Sequence, residues 1–210
     1  MENRHMIISI GRECGSGGHE IGERLAEHYG ITLYDRNLIE KLAQETNQDP
    51  EKLAQIEERV TGRIFPPSKN GFASESITMM NKLSQSDRLY LQEKGLIRKL
   101  AEEESFVIIG RAANAILADN PNTLRLYVYA SEEFKVPRVK EFYHLDSDHA
   151  ARKKMEQVDK ARRAYFNFYS DAVWGSSDAH DFMINSSVFG IDETVEIIIG
   201  IAERKFRKAE

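Results

Sequence analysis

A β-branched apolar run, Met6-Ile7-Ile8-Ser9-Ile10, leads straight into Gly11-Arg12-Glu13-Cys14-Gly15-Ser16-Gly17-Gly18-His19-Glu20, and Ile21, Leu25, His28 and Tyr29 follow at helical spacing. Strand, glycine loop and helix in that order predict a phosphate cradle, because the loop amides and the helix N-terminus both face an anion placed at the turn. Gly11, Gly15, Gly17 and Gly18 let the backbone curl without Cβ obstruction, and the helix end adds about half a positive charge. A tight turn with no ligand is the other reading of the same glycines.

The loop departs from the GxxxxGK[ST] pattern, since Gly17 is followed by Gly18, His19 and Glu20. The lysine that normally meets the β- and γ-phosphates is missing, as is the hydroxyl that follows it and binds magnesium. Arg12 and His19 are the candidates for the cation, and Ser16 and Glu20 for the metal side. Cys14 has no Cys-His-Asn spacing around it and reads as a bystander.

Downstream, strands and helices alternate. Gly30 is the expected C-cap of the first helix, Ile31–Tyr34 a second strand, and Asp35-Arg36-Asn37 the start of a helix reaching about Gln44. Asp49-Pro50 predicts an N-cap with proline at the first helical position. Turn formers then cluster at Gly62, Pro66, Pro67, Asn70 and Gly71, so about residues 61–85 form the expected mobile segment. A helix over about 86–104 precedes Phe106-Val107-Ile108-Ile109-Gly110, a run suited to a strand buried on both faces. Strands at 124–129 and 182–185, with helices at 131–143, 146–171 and 192–207, complete an α/β chain. About five parallel strands are expected, the first of them central with the glycine loop at its carboxyl end.

Residues 1–210 are expected to form one domain. The balance of 29 Lys+Arg against 34 Asp+Glu leaves a net charge of −5, which disfavours nucleic acid or an anionic membrane as a partner. One cysteine builds neither an internal disulfide nor a zinc site. The polar start and the lack of any run of about 18–20 apolar residues predict a cytoplasmic location. Oligomeric state is not legible.

Several stretches together resemble a known family. Ser9 to Ile21 followed by Tyr34-Asp35-Arg36, then Ile109-Gly110-Arg111-Ala112, Leu124 to Ala130 with Ser131-Glu132-Glu133 and Arg138, Asp159-Lys160-Ala161-Arg162-Arg163, Trp174-Gly175 and Ile184-Asn185 are similar to the cytidylate kinase-like family of nucleoside monophosphate kinases. The likeness spans roughly residues 6–205. It implies a three-layer P-loop nucleoside monophosphate kinase-like fold with helices on both faces of the sheet and a helical lid at about 144–170. It also implies nucleotide substrates, ATP with Mg2+, and transfer of the γ-phosphate to a monophosphate such as CMP or dCMP.

On that reading Gly110 and Arg111 grip the acceptor's phosphate, Arg111 as a bidentate fork, and Arg36 touches phosphate by family likeness. Asp35 reads a sugar hydroxyl or base amino group, or else caps the helix at Asn37. Lid closure brings Arg162 or Arg163 over the γ-phosphate with Arg138 nearby, and Arg12 joins them as a catalytic candidate. The plainer readings are a surface arginine at 111 and a solvated, charge-rich helix at 152–163. Tyr165, Phe166, Phe168 and Tyr169 read as a packing face sooner than a base platform. Because the lysine is missing, a weak or inactive nucleotide- or anion-binding module that keeps the kinase fold is the alternative function.

Overall fold

The computed structural model describes residues 5–62 and 84–207, so most of the expected mobile segment at about 61–85 lies outside the described residues. Five strands, β1 (Ile7–Arg12), β2 (Thr32–Tyr34), β3 (Phe106–Ile109), β4 (Thr123–Tyr129) and β5 (Phe182–Asn185), pair in parallel in the order β2-β3-β1-β4-β5. The first strand is central, with Ile8 registered against Val107 on one side and Leu124 on the other. Parallel pairing needs crossovers, and helices supply them.

Alternation along β1 divides the interior. Ile8 and Ile10 pack with α1 (Gly18–Tyr29) and α8 (Ser186–Phe206) through Ile21, Leu25, Val195 and Ile198. Ile7 faces the opposite layer with Phe106 and Ile108, under α2 (Asn37–Thr46), α3 (Pro50–Gly62), α4 (Gln85–Glu103) and α5 (Ala113–Ile116). Ser9 points the same way as Ile7, and its hydroxyl is satisfied by Asn114 on α5. The result is the expected three-layer α/β architecture.

Between β4 and β5 the chain forms a helical hairpin, α6 (Glu132–Tyr143) and α7 (Asp148–Tyr169), which spans the stretch expected as a lid. A small cluster of its own, Cys14 with Val136, Val139, Ala151 and Met155, fastens the glycine loop beneath this hairpin. Cys14 is therefore packing material, and burial pushes its thiol pKa up, away from the thiolate.

Two boundaries differ from the sequence reading. The last helix begins at Ser186, earlier than Asp192, because the Asn185 side chain accepts from the Ser187 amide, and Gly190 then breaks the helix at φ 76°, ψ 174°. The second helix is capped by Arg36 with no side-chain bond, so Asp35 does not act as its cap. Among the described residues no helix is long and apolar enough to cross a membrane.

Candidate active site

The carboxyl ends of β1, β2 and β3 converge under the α6–α7 hairpin, with the glycine loop at the centre. Gly15 and Gly17 adopt φ 82° and 80°, the left-handed conformation that makes the loop possible. Its amides divide into two groups. Glu13 N–H donates to Val128 O at 3.0 Å, Ser16 N–H to Glu13 O at 3.4 Å, and Cys14 N–H to the Asp159 carboxylate at 2.8 Å. Gly17 caps α1 without a side-chain bond, and the first intrahelical donor is Ile21. The N–H groups of Gly18, His19 and Glu20 thus form the bare first turn of the helix.

Arg12 leaves the end of β1 and runs across the loop towards Gly110. Its guanidinium makes no hydrogen bond or ion pair with any described residue. Burial, then the charge of Arg162, push its pKa down to about 9, with Asp35 opposing and Arg111 adding to the fall. A crowded, half-buried cation that no acid bonds directly is costly for a fold to keep.

Arg111 is held in a different way. It sits at φ 57°, rare for a residue with a side chain, and Nη1 donates to Glu93 at 3.0 Å while Nη2 donates to the Asp35 carbonyl at 3.2 Å. Tyr165 Oη donates to the other Glu93 oxygen at 3.1 Å. The plain reading of Arg111 as a surface residue fails, since its side chain is only 9% exposed. Asp35 turns its carboxylate to His19, with Oδ2 at 3.1 Å from Nδ1. Arg36 is exposed at the rim.

From the hairpin, Arg162 Nη1 donates to the Arg12 carbonyl at 3.3 Å and lies 3.4 Å from Asp159 Oδ1. Burial, and next Cys14, raise the pKa of the Tyr143 hydroxyl, and the charges of Arg162, Arg36 and Arg12 oppose the rise. Arg138 stands at the rim of the loop, paired with Glu20 at 2.6 Å and lying over the Phe134 ring. Arg163 lies over the Trp174 ring at 5.3 Å, on the side of the 170–180 turn.

The residues expected on the metal side do not fit a magnesium ion. Ser16 is fully buried and its hydroxyl donates to Glu13 O at 2.9 Å. Glu20 is committed to two guanidinium groups, Arg24 at 2.8 Å and Arg138 at 2.6 Å. The aromatic row behaves as packing: Tyr169 stacks on Tyr90 with centroids 4.0 Å apart, and Phe166 is buried against His180.

The structure thus gathers Arg12, Arg162, Asp35, His19, Gly110 and Arg111 around the loop. Two contributors had no sequence signal of their own as site residues. Glu93 is one acid among several on a charged helix, and only burial distinguishes it; Asp159 lies three residues before Arg162, yet its bond to the loop amide needs the folded hairpin. A surface hollow of about 640 Å3, lined by Glu132, Lys140, Asp148 and Arg152 among others, shares no residue with this cluster.

Comparison with known proteins bears on the family and the fold. The sequence model of the cytidylate kinase-like family matches residues 7–188. A cytidylate kinase from Methanopyrus kandleri is 23% identical over 202 residues, 92% of this chain and 91% of the relative. A crystal structure of an uncharacterised protein from Eubacterium ventriosum superposes with TM-score 0.71 at 31% identity, covering 95% of this chain and 99% of that one. A shikimate kinase from Bacteroides thetaiotaomicron shares the fold, with TM-score 0.53 at 10% identity over 94% of this chain and 98% of its own.

Proposed function

The chain belongs to the cytidylate kinase-like family, and from that premise we propose that it transfers the γ-phosphate of ATP to a nucleoside monophosphate, with CMP or dCMP as the first acceptor. Kinase-like family and fold together support a nucleotide-binding phosphotransferase. The observation that carries the finer reading is the unpaired Arg12 guanidinium, set between Arg111 on the acceptor side and Arg162 on the hairpin.

Phosphoryl transfer asks a protein mainly to align two phosphates and neutralise the charge on the moving group. The donor's polyphosphate lies against the bare amides of Gly18, His19 and Glu20, with Arg138 at the rim. Arg111, aimed by Glu93 and the Asp35 carbonyl, forks onto the acceptor's phosphate, and Arg36 closes its open side. The Asp35 carboxylate, oriented by His19, reads a hydroxyl or amino group of the acceptor. The α6–α7 hairpin acts as a lid that carries Arg162 onto the γ-phosphate and excludes water. ATP brings magnesium on its own phosphates, and Ser16 and Glu20 do not fit as protein ligands for it.

The test is direct. Purified protein incubated with ATP, magnesium and a panel of nucleoside monophosphates yields a nucleoside diphosphate, and Arg111→Ala removes the rate. Absence of product with every acceptor, across pH and divalent metals, overturns transfer and leaves a binding module.

A further inference from the structure

We propose that Arg12 has taken over the task of the missing loop lysine, and that residue 18 is glycine to make room for the Arg12 stem. The inference rests on the phosphotransfer reading but not on the identity of the acceptor.

The argument begins with a glycine that needs an explanation. Gly18 opens α1 with no positive φ, so its backbone conformation is open to any residue, and glycine in a helix costs about 1 kcal/mol relative to alanine. Space is the reason for it. A Cβ built there would lie 2.6 Å from Arg12 Cβ and 3.0 Å from Arg12 Cγ, whereas its next neighbour, Val128 Cβ, stands at an ordinary 3.6 Å. The stem of Arg12 alone excludes a side chain from the position where the P-loop pattern places lysine.

The other end of the same side chain shows where the charge goes. A Cβ on Gly110 would overlap Arg12 Nη1, so the guanidinium reaches the end of β3, one residue before Arg111. Arg12 therefore spans from the helix turn that faces the donor to the strand end that faces the acceptor. No described residue bonds its guanidinium, and the charges of Arg162 and Arg111 press against it, with Asp35 and Asp159 offsetting them only from a distance. Such a group does not stabilise the empty protein. It matches a terminal phosphate flanked by a second phosphate, which a planar guanidinium with several fixed donors bridges better than an ammonium point charge.

During transfer an ionised oxygen of the acceptor's phosphate attacks the γ-phosphorus, the bond from that phosphorus to the β,γ-bridging oxygen breaks, and the electron pair leaves on the diphosphate. Arg12 gives up no proton in this step; it supplies charge and hydrogen bonds to the moving oxygens.

Inorganic tripolyphosphate is the probe that separates this claim from the kinase reading, because it needs no acceptor. Arg12→Met keeps the stem against Gly18 and removes the charge: calorimetry is expected to show at least tenfold weaker tripolyphosphate binding, with the melting temperature held or raised. In Arg12→Gly/Gly18→Lys the lysine gains the vacated space, and binding is expected at least tenfold tighter than in Arg12→Gly alone. Unchanged binding in Arg12→Met, a lowered melting temperature in that variant, no binding by the parent protein, or a folded double variant no better than Arg12→Gly each overturns the proposal. If the double variant does not fold, Arg12→Met decides alone. Tripolyphosphate binding that follows this pattern in a protein forming no nucleoside diphosphate upholds Arg12 and sinks the transfer reading, so the two failures are distinguishable.

Discussion

Glu93 is 2% exposed, a position tolerable for a carboxylate because Arg111 and Tyr165 both donate to it. Removing one partner of such a pair leaves the other charge buried and costs about 3–5 kcal/mol. Glu93→Ala is accordingly expected to lower the unfolding free energy in urea by that order. With Arg111 no longer aimed, the variant's KM for the acceptor should rise more than its kcat falls. His180 is a second buried group with a measurable signature. Burial beside Phe166 and Tyr127 lowers its pKa below the usual 6.5, against the opposing bond from its ring to Ser176 O. The unfolded chain then binds the proton more readily than the folded one. The stability this group contributes is fully present above the unfolded pKa of about 6.5 and is lost as pH falls through the folded value. His180→Phe keeps a ring and removes the titration; its melting temperature should decline less between pH 7 and 5 than that of the parent. Equal slopes would show that other groups carry the acid sensitivity.

At the scale of elements, two glycines with equally open surroundings are expected to respond in opposite directions. Gly95 lies exposed within α4, and a Cβ there meets nothing within 4 Å. Gly95→Ala should stabilise by about 0.5–1 kcal/mol through helix propensity. A Cβ on Gly190 also meets nothing, yet φ 76° with ψ 174° belongs to a region that is essentially glycine's own. Gly190→Ala should therefore destabilise by about 1–3 kcal/mol, or straighten the break in α8. Denaturant titration of both variants reads the contrast, and a shift of the same sign in both would remove the backbone argument. The elements themselves were largely legible in the sequence. The two-sided apolar runs of β1 and β3 and the cap at Gly30 carry local signals, and each formed close to its expected bounds. The early start of α8 was not legible, because it depends on one Asn185 side chain folding back onto the amide of Ser187.

For the molecule as a whole, the glycine loop and the strand-end Gly110-Arg111 announced a candidate phosphate site, while its internal wiring stayed hidden. The pairing of Arg111 with Glu93 joins residues 18 apart, and that of Cys14 N–H with Asp159 joins residues 145 apart, so no local pattern encodes either. Arg163 looked equivalent to Arg162 in the sequence, and only the fold sets Arg163 over the Trp174 ring and Arg162 on the Arg12 carbonyl. A consequence of this distribution belongs only to the whole chain. Net charge is −5, yet Arg162 bonds the carbonyl of Arg12, whose own guanidinium reaches Gly110 beside Arg111, so the net charge disfavours extended polyanions while the region of the loop favours compact ones. A ligand that binds the folded state alone, present at a hundred times its Kd, adds about 2.7 kcal/mol, which for a domain of this size raises the melting temperature by roughly 5–10 °C. Tripolyphosphate or ATP should produce that rise, and it should shrink between 50 and 500 mM salt as screening weakens the attraction. Duplex DNA at the same phosphate concentration should leave the melting curve where it was, since its rod of charge cannot reach the half-buried Arg12 and meets a protein of net negative charge. A comparable rise with DNA would relocate the cationic surface from the glycine loop to an open face, and the geometry around that loop would lose its claim to the phosphate.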